Sequence, residues 1–358
     1  MRRDLLSVND SERLVDQVRG AIRDKRALRI RGGESKCALG RAVDGDEIDT
    51  RPHRGVVTYD PSELVMTARA GTPLAHIVAI LDDANQMLPA EPPTFGSTAT
   101  IGGAVASGLS GPRRPWAGSL RDFVLGCRVI TGEGLHLRFG GQVMKNVAGY
   151  DVSRLMAGSF GCLGLITEVS LKVLPKPRAS ACVSIAMEAG QAMRDLSAWR
   201  KAALPVSGAC HFDGRLHVRL EGGEGSVRAA VDRIGGEALE ASFWESLREQ
   251  RMRFFDDSSD TRALWRLSLP NHTPLVALPG DALIDWGGAQ RWLRSEASSA
   301  EIRGIATAHG GHATCFTPGD GIEPFHPLAA PLMCYHRQLK QRLDPHAVFN
   351  PGRMYPDF

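Results

Sequence analysis

The stretch KNVAGYDVSRLMAGSFGCLGLITEVSLKVLP, residues 145–175, decides the fold. It opens on Lys145 and Asn146, is punctuated by Gly149, Gly158, Gly161 and Gly164, and ends in the strand-like run ITEVSLKVL. Glycines crowded among apolar residues have two physical uses. They make tight turns between packed elements, or they let backbone lie against a large ligand where a Cβ would collide. Two more glycine-rich stretches lie upstream. Residues 31–36, RGGESK, follow a short strand-like run and can turn several N–H groups toward one point, with the Ser35 hydroxyl and the Lys36 ammonium beside them. Residues 96–108, GSTATIGGAVASG, are small throughout except Ile101 and Val105. This run is neither a Walker loop nor a nicotinamide-type G-x-G-x-x-G. It lies between ordered segments and carries Ile and Val at alternate turns, so it reads as backbone approaching a pyrophosphate rather than as a linker.

Composition bounds what such a ligand-binding chain can be. With 358 residues, two domains are expected. The hydrophobic fraction of 43% and the charged fraction of 23% are those of a globular protein. A formal charge of +3, with the basic residues dispersed, argues against nucleic acid as a partner. No apolar run reaches the roughly 18–20 residues that span a bilayer. Residues 1–10 are charged and lack an apolar signal core, so a cytoplasmic location is expected. The seven cysteines, at 37, 127, 162, 182, 210, 315 and 334, include no C-x-x-C pair. Neither a disulfide framework nor a Cys-ligated iron–sulfur cluster is expected, so electrons collected here would need an outlet elsewhere.

Periodicity supplies the elements. Leu14, Val18 and Ile22 mark an amphipathic helix over 11–26, and 27–33 is a short strand. Strands are expected over 55–60 and 64–71, a helix over 72–85, and two strands within 123–140 around a turn at Gly132 and Gly134. A boundary falls at PKP, 175–177. Beyond it come a strand (181–187), a helix (191–202), a hairpin (208–222) turning at Asp213 and Gly214, and a helix (226–236). That order suggests a compact sheet with helices on one face. A helix over 333–344 precedes the tail PHAVFNPGRMYPDF.

The ordered series R-G-G-x-S-K, G-S-T-x-T-I-G-G-x-x-A-S-G, D-F-V-L-G (122–126), K-N-V-A-G-Y-D and G-S-x-G-x-L-G-x-I-T-E resembles the FAD-binding domain of the vanillyl-alcohol oxidase/PCMH flavoprotein family. Within it, S-K-x-x-L-G-R (35–41), KNVAGYDVSRLM (145–156), GGHAT (310–314) and FNPGRMYP (349–356) are similar to the FAD-binding E subunits of bacterial glycolate oxidase (glycolate dehydrogenase). The resemblance implies an α+β fold. A PCMH-type FAD-binding domain of two α+β subdomains would occupy 1–176, a smaller α+β cap domain 177–330, and a C-terminal helix with an NPGR tail, 331–358, would return to the FAD domain. Carried over by position, it implies FAD contacts at Arg31, Gly32, Gly33, Glu34, Ser35 and Lys36, and at Thr100, Ile101, Gly102 and Gly103. It further implies contacts at Ser107, Gly108, Gly118 and Asp122, at Gly161, Gly164 and Ile166 beside the adenine end, and at Asn350 and Arg353. Glu34 stands where many relatives carry Gly, and Phe160 where Glu is common. Ser35 takes the place of a flavin-linking His, and 96–103 contain no Cys, so non-covalent FAD is expected.

For the chemistry, the resemblance implies oxidation of a small 2-hydroxy acid, glycolate to glyoxylate. The partners would be a larger FAD-containing glycolate oxidase subunit and an iron–sulfur subunit that takes the electrons away, giving a hetero-oligomer placed peripherally at the inner membrane only through them. A hydroxy-acid oxidase needs a base for the hydroxyl proton and a cation for the carboxylate. The H-P-x-G-N-x-H pattern of larger relatives is missing, and His309 and His312 are a weak substitute with no carboxylate nearby in sequence. Arg113 and Arg114 could meet phosphate or substrate, or simply occupy a solvated loop. No catalytic residue is assigned and no metal is expected. Two other readings stay open: a self-sufficient FAD-dependent 2-hydroxy-acid or sugar-acid dehydrogenase, and a scaffold subunit with a vestigial flavin site.

Overall fold

The structure, a computed structural model, describes residues 7–141, 150–256, 259–317 and 321–358. The chain divides into two compact units. One comprises Met1–Ser110, Gly118–Lys176 and Pro327–Phe358, the other Gly111–Ala117 and Pro177–His326. The sequence reading kept 111–117 in the first domain and 327–330 in the second. Both short segments cluster with the opposite unit.

In the first unit, helix Ser11–Arg23 buries Leu14, Val18 and Ala21. They pack against Leu28, Ile48, Ile130, Leu165, Val348 and Phe349. Strand Leu28–Arg31 pairs in parallel with Asp46–Asp49, a strand missed by periodicity because DEID buries only Ile48. Leu28 N–H also donates to the Val348 carbonyl (2.7 Å), and Asn350 N–H donates back to the Leu28 carbonyl (3.0 Å). A separate five-stranded sheet runs, in spatial order, Val56–Asp60, Val65–Arg69, Leu165–Lys172, Val124–Ile130 and His136–Gly140, with every neighbour antiparallel. Its middle strand, Leu165–Lys172, is buried on both faces over seven of its eight residues, Thr167, Glu168 and Ser170 included.

The run 96–108 is not loop throughout: Ile101–Ser107 is helical. Thr100 caps it, its Oγ1 accepting from Gly103 N–H (3.3 Å), and Ile101, Ala104 and Val105 supply a buried stripe. Gly108 closes it at φ +65°, and the Gly158 backbone leaves no room there for a Cβ. Glycine content hid a short capped helix whose packing outweighs its poor propensity.

The second unit is one eight-stranded sheet of antiparallel neighbours. Its order is Glu237–Ala238, Ala179–Ala186, Arg215–Gly222, Val206–Phe212, Asp281–Asp285, Gln290–Ser295, Ala263–Ser268 and His312–Cys315. The strand–helix–hairpin–helix pattern legible to residue 236 therefore continues through five more strands. Leu216, Val218 and Ala209 pack on helices Ala189–Lys201 and Glu224–Ile234, while Leu267, Leu293 and Ala313 pack on helix Ser299–Ala308. The strand register puts all six on one face. Neither expectation for Arg113 holds. Its guanidinium is buried and forks onto Glu221, with one contact at 2.9 Å and a second, shorter one from Nη1 to Oε2. Burial alone would raise the Glu221 pKa, but Arg113 and Arg219 outweigh it and hold it below the usual range. Arg114 lies 4.3 Å over the Trp286 ring.

Candidate cofactor site

The first unit contains a cleft whose empty space, open mouth included, is about 1020 Å³. Its walls come from three backbone segments that touch one another. A Cβ on Gly33 would lie 1.7 Å from the Thr98 carbonyl oxygen, so the first glycine loop rests directly on the second. Thr98 Oγ1 donates to the Gly33 carbonyl (2.5 Å), and Thr50 Oγ1 donates to the Arg31 carbonyl (3.0 Å). The third segment enters through Phe160, at φ +51°, and Gly161, at φ +72°. A Cβ on Gly161 would meet Asn350 Nδ2 at 2.7 Å.

Asn350 joins these segments. Its Oδ1 accepts from Ile30 N–H (2.8 Å) and its Nδ2 donates to the Phe160 carbonyl (2.7 Å). Arg353 donates to the Arg41 (2.6 Å) and Cys37 (2.9 Å) carbonyls and so fixes the loop after Lys36. Behind Asn350 lies a group invisible to motif reading. Buried Lys340 donates to the carbonyls of Cys162 (2.7 Å) and Phe349 (2.8 Å) and to Asp344 Oδ2 (2.7 Å). Asp344 in turn accepts from the Val348 and Phe349 N–H groups (3.1 and 2.9 Å).

Of the residues singled out from sequence, Gly32, Gly33, Glu34, Ser35, Lys36, Thr100, Gly102, Gly103, Ser107, Gly161, Gly164, Ile166, Asn350 and Arg353 line this cleft. Five do not. Arg31 turns its side chain to Glu34 (2.7 Å) and Glu47 (2.8 Å). Ile101 is fully buried, and Gly108 is the helix cap described above. Gly118 and Asp122 belong to a capping turn in which Asp122 Oδ2 accepts from Ser119 N–H (2.7 Å). Sequence reading overlooked Ile30, Thr50 and Ala70 on the wall, ordinary residue types that carry no motif. Lys145, Asn146 and Gly149 lie outside the described residues.

The wall fits a dinucleotide with a diphosphate and apolar rings. Glycine backbone faces the cleft, Ser35, Thr50 and Thr100 offer hydroxyls, and Ile30, Val43, Ala70 and Ile166 offer apolar patches. Lys36 stays beside Ser35 Oγ (3.3 Å) while donating to the Thr94 carbonyl (3.2 Å). The one wall carboxylate, Glu34, is paired with Arg29 (3.1 Å) and Arg31 (2.7 Å). That pairing offsets its repulsion of phosphate. Glu34 also sits at φ +54°, a glycine-like conformation. Glu34→Gly removes roughly 1–2 kcal/mol of left-handed strain, and loses partly exposed ion pairs worth ~0–1 kcal/mol and chain stiffness worth ~0.5–1 kcal/mol. Urea unfolding is therefore expected to move by less than about 1 kcal/mol; a loss several times larger would make the Arg29–Glu34–Arg31 cluster a structural necessity.

Among the described residues no group of three or more His, Cys, Asp or Glu could hold a metal, and no helix is long and apolar enough to cross a membrane. His309 Nδ1 donates to the Ile305 carbonyl (2.9 Å) at the end of its own helix.

A glycine-walled cleft of this kind defines a class of flavin-binding proteins, and a family model described as "FAD binding domain" matches residues 5–140. Glycolate oxidase subunit GlcE of Escherichia coli (strain K12) is 58% identical over 347 residues, 97% of this chain and 98% of that protein. The chain belongs to the family of glycolate oxidase subunit GlcE, within the FAD-dependent oxidoreductases. Glycolate oxidase subunit GlcD of Bacillus subtilis (strain 168) is 34% identical over 122 residues, 34% of this chain and 26% of that one. D-2-hydroxyglutarate dehydrogenase of Xanthomonas citri pv. viticola is 29% identical over 218 residues, 59% and 46% of the two chains. Two crystal forms of alkyldihydroxyacetonephosphate synthase share the fold, with TM-scores of 0.66 and 0.68 at 17% and 16% identity, over 96% of this chain and 76% of that one.

Proposed function

We propose that this chain is the FAD-holding subunit of a complex that oxidises glycolate to glyoxylate. A larger FAD-containing subunit and an iron–sulfur subunit are its partners, and any membrane association runs through them. The observation that carries this reading is the end-to-end relationship to GlcE in a chain whose three glycine segments close on one cleft. Bound there, FAD supplies a two-electron acceptor. The chain's own residues do the holding. Gly32, Gly102 and Gly103 admit the diphosphate to the backbone, and Ser35 and Thr100 present hydroxyls. Gly161, Gly164 and Ile166 take the adenine end, and Asn350 locks the walls together.

The flavin is held without a covalent bond, since Ser35 stands at the position of a linking His and 96–103 have no Cys. Cys37 does lie on the wall, so the point needs a direct test. Acid precipitation is expected to leave the yellow colour in the supernatant; flavin retained in a washed pellet would overturn it. For the subunit role, dye-linked glycolate turnover is measured with the FAD-loaded chain alone and again with both partners. The complex is expected to be far faster. Equal rates would replace this reading by the self-sufficient dehydrogenase.

A further inference from the structure

Strands Ala263–Ser268 and His312–Cys315 pair so that Ser268 faces His312 and Arg266 faces Thr314. Side chains alternate along a strand, so Arg266, Ser268, His312 and Thr314 share one face. Trp265, Leu267, Ala313 and Cys315 take the opposite face, against helix Ser299–Ala308. Arg266 and His312 are thus diagonal neighbours across the ladder, with Cβ atoms about 7 Å apart. The two residues are 46 positions apart in sequence, and neither belongs to a motif.

The charge balance of this face is unusual. Among the described residues Arg266 makes no ion pair and no hydrogen bond; its Nε is buried without a partner, and its guanidinium lies 5.1 Å over the Phe316 ring. Burial first, and the charge of Arg114 second, push its pKa down to about 10. His312, although exposed at one edge, is held down to about 4 by desolvation, then by Arg266, His326 and Arg114. Its ring is neutral at neutral pH and has a lone pair to offer. The acids on the same face are already engaged. Asp281 pairs with Arg262 (2.6 Å), and Asp285 accepts from Trp286 N–H (2.7 Å) and Gln290 Nε2 (3.1 Å). An unpaired guanidinium beside a second arginine is destabilised until an anion arrives.

We propose that Arg266 and His312 form a small-carboxylate site on this sheet face. Arg266 takes the carboxylate, and the substrate hydroxyl donates to the His312 ring nitrogen. A 2-hydroxy acid carries both groups on adjacent carbons, and the guanidinium fork matches a carboxylate in two parallel hydrogen bonds. This deepens the oxidoreductase reading above and rests on it for the choice of a 2-hydroxy acid, since it gives that acid a binding site on this chain itself.

Calorimetric titration of the FAD-loaded chain with glycolate, acetate and sulfate tests the site. Glycolate is expected to bind saturably and about tenfold more tightly than acetate, the gap of one added hydrogen bond to the His312 ring. Arg266→Met should weaken both acids at least roughly tenfold. Arg266→Lys, which keeps the charge without the fork, should fall between the two. His312→Asn should erase the gap between glycolate and acetate while leaving acetate affinity unchanged. Arg337→Met, which removes only the surface partner of Asp357, should match the wild type. Sulfate binding as tightly as glycolate, absence of saturable glycolate binding, or wild-type affinity in folded Arg266→Met or Arg266→Lys would each overturn the site. A chain that keeps FAD and accelerates in the complex, yet ignores glycolate, refutes only this inference. One that binds glycolate but holds no FAD refutes the functional reading instead.

Discussion

A Gly103→Asp chain is expected to fold and to purify without FAD. Gly103 is exposed on the cleft wall in the first turn of helix Ile101–Ser107. A Cβ there would meet only Thr100 Oγ1, at 3.2 Å, and its φ lies outside the left-handed region, so the polypeptide itself tolerates a side chain. On the proposed placement of FAD, the new carboxylate would stand beside its diphosphate. Two like charges about 4 Å apart repel by about 4 kcal/mol at an effective dielectric constant near 20, which is a loss of roughly 1,000-fold in affinity. Gly103→Ala adds the Cβ without the charge and is the control. The absorbance ratio at flavin and protein wavelengths, with circular dichroism for the fold, reads the outcome. Full flavin content in Gly103→Asp would remove residues 100–103 from the cofactor site.

Lys340→Ala is expected to be the most damaging single substitution distant from the cleft opening. The ammonium is enclosed, with its side chain 9% exposed and that of Asp344 fully buried. Removing it leaves Asp344 without a counter-charge and two buried carbonyls without a donor. Breaking a buried pair from one side costs about 3–5 kcal/mol, which for a unit of about 200 residues is roughly 6–20 °C in Tm. The damage also reaches the cofactor. The Cys162 carbonyl belongs to the glycine turn that carries Gly161, and Phe349 precedes Asn350, so both supports of the third wall loosen together. Thermal unfolding followed by circular dichroism, with flavin retention measured alongside, checks both effects. A Tm within about 2 °C of the wild type, a change of less than about 1 kcal/mol, would show that water replaces the ammonium.

The parts that could be read from sequence were those whose physics is local. Leu14 and Val18 fall on one helical face whatever surrounds them, and Asp213 and Gly214 make a hairpin turn that needs only its own two residues, at φ +51° and +69°. The glycine segments were legible as closely approached backbone because a missing Cβ leaves its mark at each position, and most of them do line one cleft. The lost features depend on partners remote in the chain. Arg113 looks like a loop arginine until Glu221, 108 residues away, is folded beside it. Lys340 and Asp344 read as an ordinary i, i+4 surface pair, and only the packing around Cys162 and Phe349 buries them. Arg31 misleads in the other direction: it sits within the first glycine motif, yet two glutamates hold its side chain off the wall.

The return of residues 348–353 to strand Leu28–Arg31 has a consequence for the order of events during synthesis. The first unit is written in pieces, with its strand Leu28–Arg31 and its Phe160–Gly161 turn made early and the Asn350 that joins them made 320 and 190 residues later, respectively. Domains fold as their residues become available, so the intervening stretch 177–326 completes its own sheet while the flavin cleft still lacks its clasp. A chain whose residues 348–353 have not yet been made therefore has the early walls of the cleft without the residue that ties them together.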